Sequence, residues 1–149
     1  MIKDQLTEQI EEYNKKHQHP SPQKETKVII KGNQVLVPVT IGYSGKKIEG
    51  LFLLDTGASI ITLHRDFVKK LQIKDTQKTK LMVVGGKTIT ADVVKLDFVE
   101  VGRNKKTELY AVIVDHIGPP VTHKGLLGMN FLSGLDYKID FERRVIIWK

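Results

Sequence analysis

Cysteine is absent from this chain of 149 residues, which excludes disulfides and a thiolate nucleophile. Long apolar runs are absent too. The longest span only a few residues, far short of the ~20 that a helix needs to cross a bilayer. No basic segment followed by an apolar stretch opens the chain, so no signal peptide is expected. These absences lead to the expectation of a soluble protein, cytoplasmic or periplasmic, with no membrane segment.

Aromatic residues are scarce at 7%, with a single tryptophan, Trp148, expected to pack in a core or interface. They do not interleave with basic residues, so there is no platform on which bases would stack. The formal charge is nevertheless +7. That charge suits acidic substrates, nucleic acid or an anionic surface, or else a merely solvated basic face. The lysines lie in dispersed pairs such as Lys15-Lys16, Lys46-Lys47, Lys69-Lys70 and Lys105-Lys106, which favours the solvated face, and no nucleic-acid partner is expected. His17, His19, His64, His116 and His123 show no spacing typical of zinc ligands. No metal and no cofactor are expected, and the histidines read as surface or structural residues.

What the chain does have is enough apolar content, 40%, for one compact domain. Ile2, Leu6, Ile10 and Tyr13 recur at helical spacing, and Glu11–Lys15 and Glu12–Lys16 are favourable i,i+4 pairs. A helix is therefore expected from Lys3 to about His17, followed by a linker containing Pro20 and Pro22. Residues 1–25 form this helix and linker, and 26–149 the folded domain. From Lys27 onward short strands alternate with turns, the pattern of an all-β barrel or sandwich. Hairpins are expected around Gly32-Asn33-Gln34, Gly85-Gly86 and Gly102–Lys106. Pro38 places its strand at an edge or out of the ladder. Asp66–Leu71 reads as a short helix presenting Phe67, Val68 and Leu71.

The most informative stretch is Leu51-Phe-Leu-Leu-Asp55-Thr-Gly-Ala-Ser59-Ile-Ile-Thr-Leu63. Two apolar runs, read as buried strands, flank a polar insert carrying one carboxylate. Asp55 thus sits on a tight turn at the end of an inside strand, where Gly57 permits either an unusual backbone angle or a close approach. An aspartate in such surroundings needs a partner.

Leu53-Leu54-Asp55-Thr56-Gly57-Ala58-Ser59 resembles the active-site turn of the retropepsin-like aspartic proteases. Leu126-Leu127-Gly128-Met129-Asn130-Phe131-Leu132 resembles the strand and short helix that close the retropepsin core. Ile139–Trp148 resembles the final hairpin of bacterial and ubiquitin-receptor-linked members. The likeness runs in order from about Val35 to Trp148. It implies a retropepsin-like barrel with one or two short helices, and an aspartic endopeptidase with Asp55, Thr56 and Gly57 at its catalytic centre. It also makes Ala58 and Ser59 substrate-binding, places Gly85 and Gly86 at the tip of a flap, and makes Pro119, Pro120 and Val121 candidate walls of the cleft. Without it, Gly85-Gly86 reads as an ordinary hairpin turn, and the segment containing Pro119–Val121 as a simple connection.

Aspartic proteolysis uses two carboxylates ~3 Å apart that share a proton. This chain carries a single Asp-Thr-Gly and is too short for two lobes, so the resemblance implies a homodimer with Asp55 facing its counterpart across the two-fold axis. In the family Thr56 cross-links the two turns and the final strands seal the dimer. Ser59 stands where retroviral members carry aspartate, and Met129 where they carry arginine, so both ends of that charged pair are replaced together. A peptide or protein is the expected substrate. The alternative is a catalytically idle module on the same fold that binds extended peptides by strand addition.

Overall fold

A computed structural model describes residues 24–83 and 85–149. The helix expected over Lys3–His17 and its proline-containing linker lie outside the described residues, apart from Lys24 and Glu25 at the linker's end. Strands dominate: β1 (Glu25–Lys27), β2 (Ile29–Lys31), β3 (Gln34–Tyr43), β4 (Lys46–Leu54), β5 (Ile61–His64), β6 (Gln77–Met82), β7 (Thr88–Val101), β8 (Asn104–Val114), β9 (Gly125–Leu127), β10 (Tyr137–Asp140) and β11 (Val145–Trp148). Among the described residues two short α-helices, α1 (Arg65–Val68) and α2 (Met129–Leu132), complete the all-β architecture.

Eight strands form one sheet in the order β2-β3-β4-β9-β5-β8-β7-β6, and an additional β3–β7 pairing closes its middle six strands into a barrel. The expected hairpins form. Lys31 pairs with Gln34, Met82 with Thr88 and Val101 with Asn104. The last of these turns is tighter than expected, because the ladder continues through Asn104-Lys105-Lys106. Pro38 lies mid-strand, paired with Leu51 on one side. On the other flank, β2 pairing ends at Leu36 and β7 pairing begins at Thr40, so the missing N–H falls where β3 has no second neighbour.

Two apolar periodicities fill the barrel. Val35, Val37, Val39 and Ile41 alternate inward along β3, while Phe52, Ile61, Leu63, Leu96, Val99, Leu127 and Phe131 meet them from the other elements. The short helix expected after Leu63 forms at Arg65–Val68 and continues as a 3-10 turn to Leu71. It buries Val68 and Leu71 and sets Phe67 edge-on against Phe52.

A second sheet, β1-β11-β10, packs Ile146 and Trp148 against this core. Trp148 is fully buried, as its composition-based reading anticipated, and its Nε1–H donates to Thr26 Oγ1 at 2.8 Å. β11 is hydrogen-bonded to β1 on one edge and to β10 on the other, all within one chain. Neither edge of β11 is open to a partner strand.

Candidate active site

The polar insert lies where local hairpin logic gives way to long-range pairing. β4 runs in and β5 runs out, and β9, which begins at Gly125, 70 residues after Asp55, slots between them. β9 is parallel to β4 (Leu53↔Leu126, Leu54↔Leu127) and antiparallel to β5 (Thr62↔Leu126). The Asp55 N–H then donates to Leu127 O at 3.1 Å, so the ladder fixes the backbone of the aspartate itself. The Ala58 N–H donates to Asp55 O at 3.2 Å, closing a four-residue turn.

The side chain is oriented from within the same turn. The Gly57 N–H donates to Asp55 Oδ1 at 2.9 Å. Of the two roles open to Gly57, the structure selects close approach, since a Cβ there would stand 3.2 Å from Asp55 Oδ1 and the backbone is not in the left-handed region. Asp55 is half-buried, whereas Thr56 and Gly57 at the tip of the turn are exposed, as is Ser59.

Gly128 and Asn130 brace the turn from below, and Asn130 was not singled out from the sequence. A Cβ at Gly128 would come 2.7 Å from Ile60 O and 2.8 Å from Ala58 O, both backbone atoms that cannot swing aside. The N–H groups opening α2 donate back to the turn, Met129 to Ala58 O (2.7 Å) and Asn130 to Ser59 O (3.1 Å). The Asn130 side chain accepts from the Ile61 N–H at 2.9 Å and donates to Tyr110 O at 2.7 Å. Backbone and amide groups thus join turn to helix at the place where Ser59 and Met129 replace a charged pair.

Gly85 and Gly86 sit at the end of the β6–β7 hairpin, both with positive φ (94° and 79°). The connection is longer than a two-residue turn: the Val83 N–H donates to Lys87 O at 2.8 Å and the Gly86 N–H to Val83 O at 3.1 Å. No atom of another segment lies within 4 Å of a Cβ built on either glycine. Beside this free tip, Met82 and Ile89 expose apolar surface.

The remaining expected site residues are placed apart from the turn. Pro120 and Val121 line a cavity of about 960 Å³ in company with His64, His116 and His123, and neither Asp55–Ser59 nor Gly85–Gly86 takes part in its walls. Pro119 supplies a carbonyl 2.7 Å from His116 Nε2, so that nitrogen carries the proton and donates. Histidines read as scattered surface or structural residues therefore converge. The His64 ring lies 5.0 Å from that of His116 and 5.5 Å from that of His123. Burial, and then His123, His116 and Lys124, hold the His64 imidazole below its usual pKa, with Asp66 opposing weakly. Burial and His116 do the same to His123. Among the described residues, no three His, Cys, Asp or Glu side chains are arranged to hold a metal ion.

An ion network ties these parts together. Arg65 donates from Nη1 to Asp92 Oδ2 at 2.9 Å and from Nε to Asp115 Oδ1 at 2.8 Å, while Lys78 bonds the other oxygen of Asp92. Asp92 is 6% exposed and is the one buried charged side chain among the described residues. Its two cationic partners, through hydrogen bonds first, hold its pKa below the usual carboxylate range.

Comparison with known proteins adds to this geometry. Residues 37–131 match the family described as aspartyl protease. In three dimensions the chain is similar to a retropepsin-like aspartic protease from Rickettsia conorii, with a TM-score of 0.61 and 20% sequence identity, over 83% of this chain and 89% of that one. A search of curated proteins gives no match. The structural likeness establishes the retropepsin-like fold.

Proposed function

Because the chain belongs to the aspartyl protease family, we propose that it is an endopeptidase working as a homodimer, with Asp55 of each copy forming one catalytic dyad. The observation that carries this reading is the Asp55 turn. Its backbone is pinned by Leu127, its carboxylate is aimed by the Gly57 N–H, and its tip, Thr56-Gly57, is left exposed. A lone carboxylate so prepared lacks only the second one that the chemistry uses, and a two-fold axis beside the exposed tip supplies it.

Two carboxylates this close hold one proton between them, because both cannot ionise side by side. The ionised carboxylate takes a proton from the bound water as its oxygen attacks the scissile carbonyl carbon. The protonated one gives its proton to the carbonyl oxygen, producing a neutral tetrahedral diol. Collapse of the diol breaks the C–N bond as the nitrogen takes the proton from the carboxyl that received it from water, while a diol hydroxyl gives its proton to the other carboxylate, so the dyad again holds one shared proton. Fixing the water between two rigid turns contributes orientation as well as acid–base chemistry.

In the dimer, Thr56 of each turn meets the partner's turn. The final hairpin contributes through the outer edge of β1 or β10, since β11 is paired on both sides within its own chain. The Gly85–Gly86 hairpin serves as the flap: its two glycines carry no side chains, and the apolar Met82 and Ile89 stand beside them.

The test is Asp55→Asn, assayed on a peptide library alongside sedimentation of both proteins. The expected result is a folded dimer whose cleavage falls about 10³-fold or more, as when a member of a catalytic unit is removed. Equal cleavage by wild type and variant would remove Asp55 from the mechanism, and a strictly monomeric active enzyme would remove the dyad.

A further inference from the structure

We propose that the cavity around His64 is an anion subsite that receives acidic side chains of the polypeptide substrate, a few residues away from the bond held at Asp55. It rests on the peptidase reading for its substrate, but not for its chemistry.

Position is the first argument. β5 leaves the Asp55 turn at Ile61 and ends at His64. The pairings of Leu53 and Thr62 with the same Leu126 set His64 level with Leu51, four residues or ~13 Å along the strand from Asp55, a length that an extended peptide covers in about four residues. The far wall of the cavity is anchored to the same strands. The His64 N–H donates to Lys124 O at 2.9 Å, and the Lys124 N–H to Leu51 O at 2.7 Å. The cavity is therefore held rigidly at a fixed offset from the catalytic turn, without sharing residues with it.

Charge is the second. Lys47 from β4, Lys70 from the 3-10 turn and Lys124 from the loop before β9 all line the cavity. Among the described residues none of the three has a carboxylate within 4.0 Å. Of the acids facing the same space, Asp66 is engaged by Lys69 and Asp115 by Arg65, which also serves Asp92. Glu49 alone is left to oppose three ammonium groups. The balance favours an incoming carboxylate.

The imidazoles are the third. With His116 and His123 on either side of His64, protonation of one ring is opposed by the others and by the lysine nearby. A bound anion removes that opposition, so occupancy and proton uptake reinforce each other. Since His64 and His123 titrate below their usual range when the cavity is empty, an anion raises both values, and affinity grows as pH falls through the window between the empty and occupied pKa values. A metal ion fits less well, because no three ligands are arranged to share one. Stacked nucleobases fit less well too, because the lining aromatic ring, Phe67, is already packed edge-on against Phe52.

The experiment titrates two labelled extended peptides, one with a run of glutamates and one with glutamines in their place, onto the full chain carrying Asp55→Asn, with fluorescence anisotropy as readout. The glutamate peptide is expected to bind roughly tenfold tighter than its counterpart at pH about 5.5, with the gap narrowing at pH about 8. The double change Lys70→Gln with Lys124→Gln, both exposed and with no side-chain hydrogen bond or ion pair among the described residues, is expected to remove most of that preference. His64→Gln is expected to weaken its pH dependence, with His123 left to titrate and circular dichroism confirming that the variant folds. Equal affinity for the two peptides, or an undiminished preference in both variants, overturns the proposal. So does displacement of the peptide by a single-stranded oligonucleotide of equal charge at lower concentration. Cleavage by the wild-type chain separates this from the peptidase reading. Binding preference without any cleavage removes the peptidase and leaves the anion site, whereas cleavage without a glutamate preference does the reverse.

Discussion

Asn130 Oδ1 accepts the backbone N–H of Ile61 at 2.9 Å, joining the helix after β9 to the first residue of β5 across 69 positions of sequence. The same amide donates to Tyr110 O at 2.7 Å, so one side chain spans the Asp55 turn, the α2 helix and β8. Leucine at this position would leave the part-buried Ile61 N–H without a partner, at a cost of about 1–3 kcal/mol, and return the exposed Tyr110 carbonyl to water. Asn130→Leu is expected to lower the denaturant midpoint accordingly and, on the proposed function, to reduce cleavage further than its stability loss explains, because Ile61 carries the exit of the Asp55 turn. Asn130→Asp keeps the acceptor for Ile61 but loses the donor to Tyr110, and its expected loss is intermediate. Denaturant unfolding and steady-state kinetics on both variants decide it.

Gly57 and Gly128 lie on opposite sides of the same turn and are expected to fail differently. At Gly128 a methyl group meets two backbone oxygens at 2.7 and 2.8 Å, so Gly128→Ala has no cheap relief. Overpacking against fixed backbone costs about 1–3 kcal/mol or more, seen as a lower melting temperature. At Gly57 the methyl meets only Asp55 Oδ1, at 3.2 Å, a side-chain atom able to turn away. Gly57→Ala is expected to melt close to wild type while losing activity, because the carboxylate is what gives way. Identical melting curves for the two variants would contradict the assignment.

Much of this was visible in the sequence because it is local. The Asp55-Thr-Gly turn, the hairpins at Gly32, Gly85-Gly86 and Gly102, and the short helix ending near Leu71 each follow from residues within a few positions of one another. The pairings that complete the site are not local. β9 enters between β4 and β5 through backbone hydrogen bonds that leave no side-chain signature. The Asn130 amide reads as an ordinary polar residue until the strand beside it is in place. His64, His116 and His123 have no ligand spacing along the chain, and the pairings of β5 with β8 and with β9 bring them together. The likeness makes Pro119–Val121 candidate cleft walls, and the structure shows Pro120 and Val121 lining the histidine cavity, a neighbourhood that chain order does not reveal.

Acid is expected to loosen the β6–β7 arm before the barrel. The Asp92 carboxyl is held below its usual pKa by Lys78 and Arg65. A depressed folded-state pKa stabilises the fold above the unfolded value of ~3.9, and that contribution is lost as pH falls through the folded pKa. Wild type therefore loses stability in strong acid through this group. In Asp92→Asn the same segment of the pH–stability curve is expected to flatten, with lower stability at neutral pH because Lys78 and Arg65 lose their shared anion. Thermal melts of both proteins from about pH 2 to 7 provide the comparison, and parallel curves would show that Asp92 contributes nothing to the acid transition.

The last expectation concerns β1, which shields β11. Thr26 pairs with Ile146 in the ladder, and its hydroxyl accepts the buried Trp148 Nε1–H at 2.8 Å. Thr26→Val removes the acceptor and leaves a buried donor unsatisfied, for a loss of about 1–3 kcal/mol with the sheet intact. Thr26→Pro goes further, because proline cannot donate to the ladder and breaks the β1–β11 pairing. With β1 detached, the edge of β11 carrying Val145, Ile146 and Trp148 is uncovered, and an open apolar edge recruits another strand. The proline variant is therefore expected both to melt lower than Thr26→Val and to sediment as larger, concentration-dependent species. If it instead keeps the same mass distribution as wild type across concentrations, β1 is not what closes that edge.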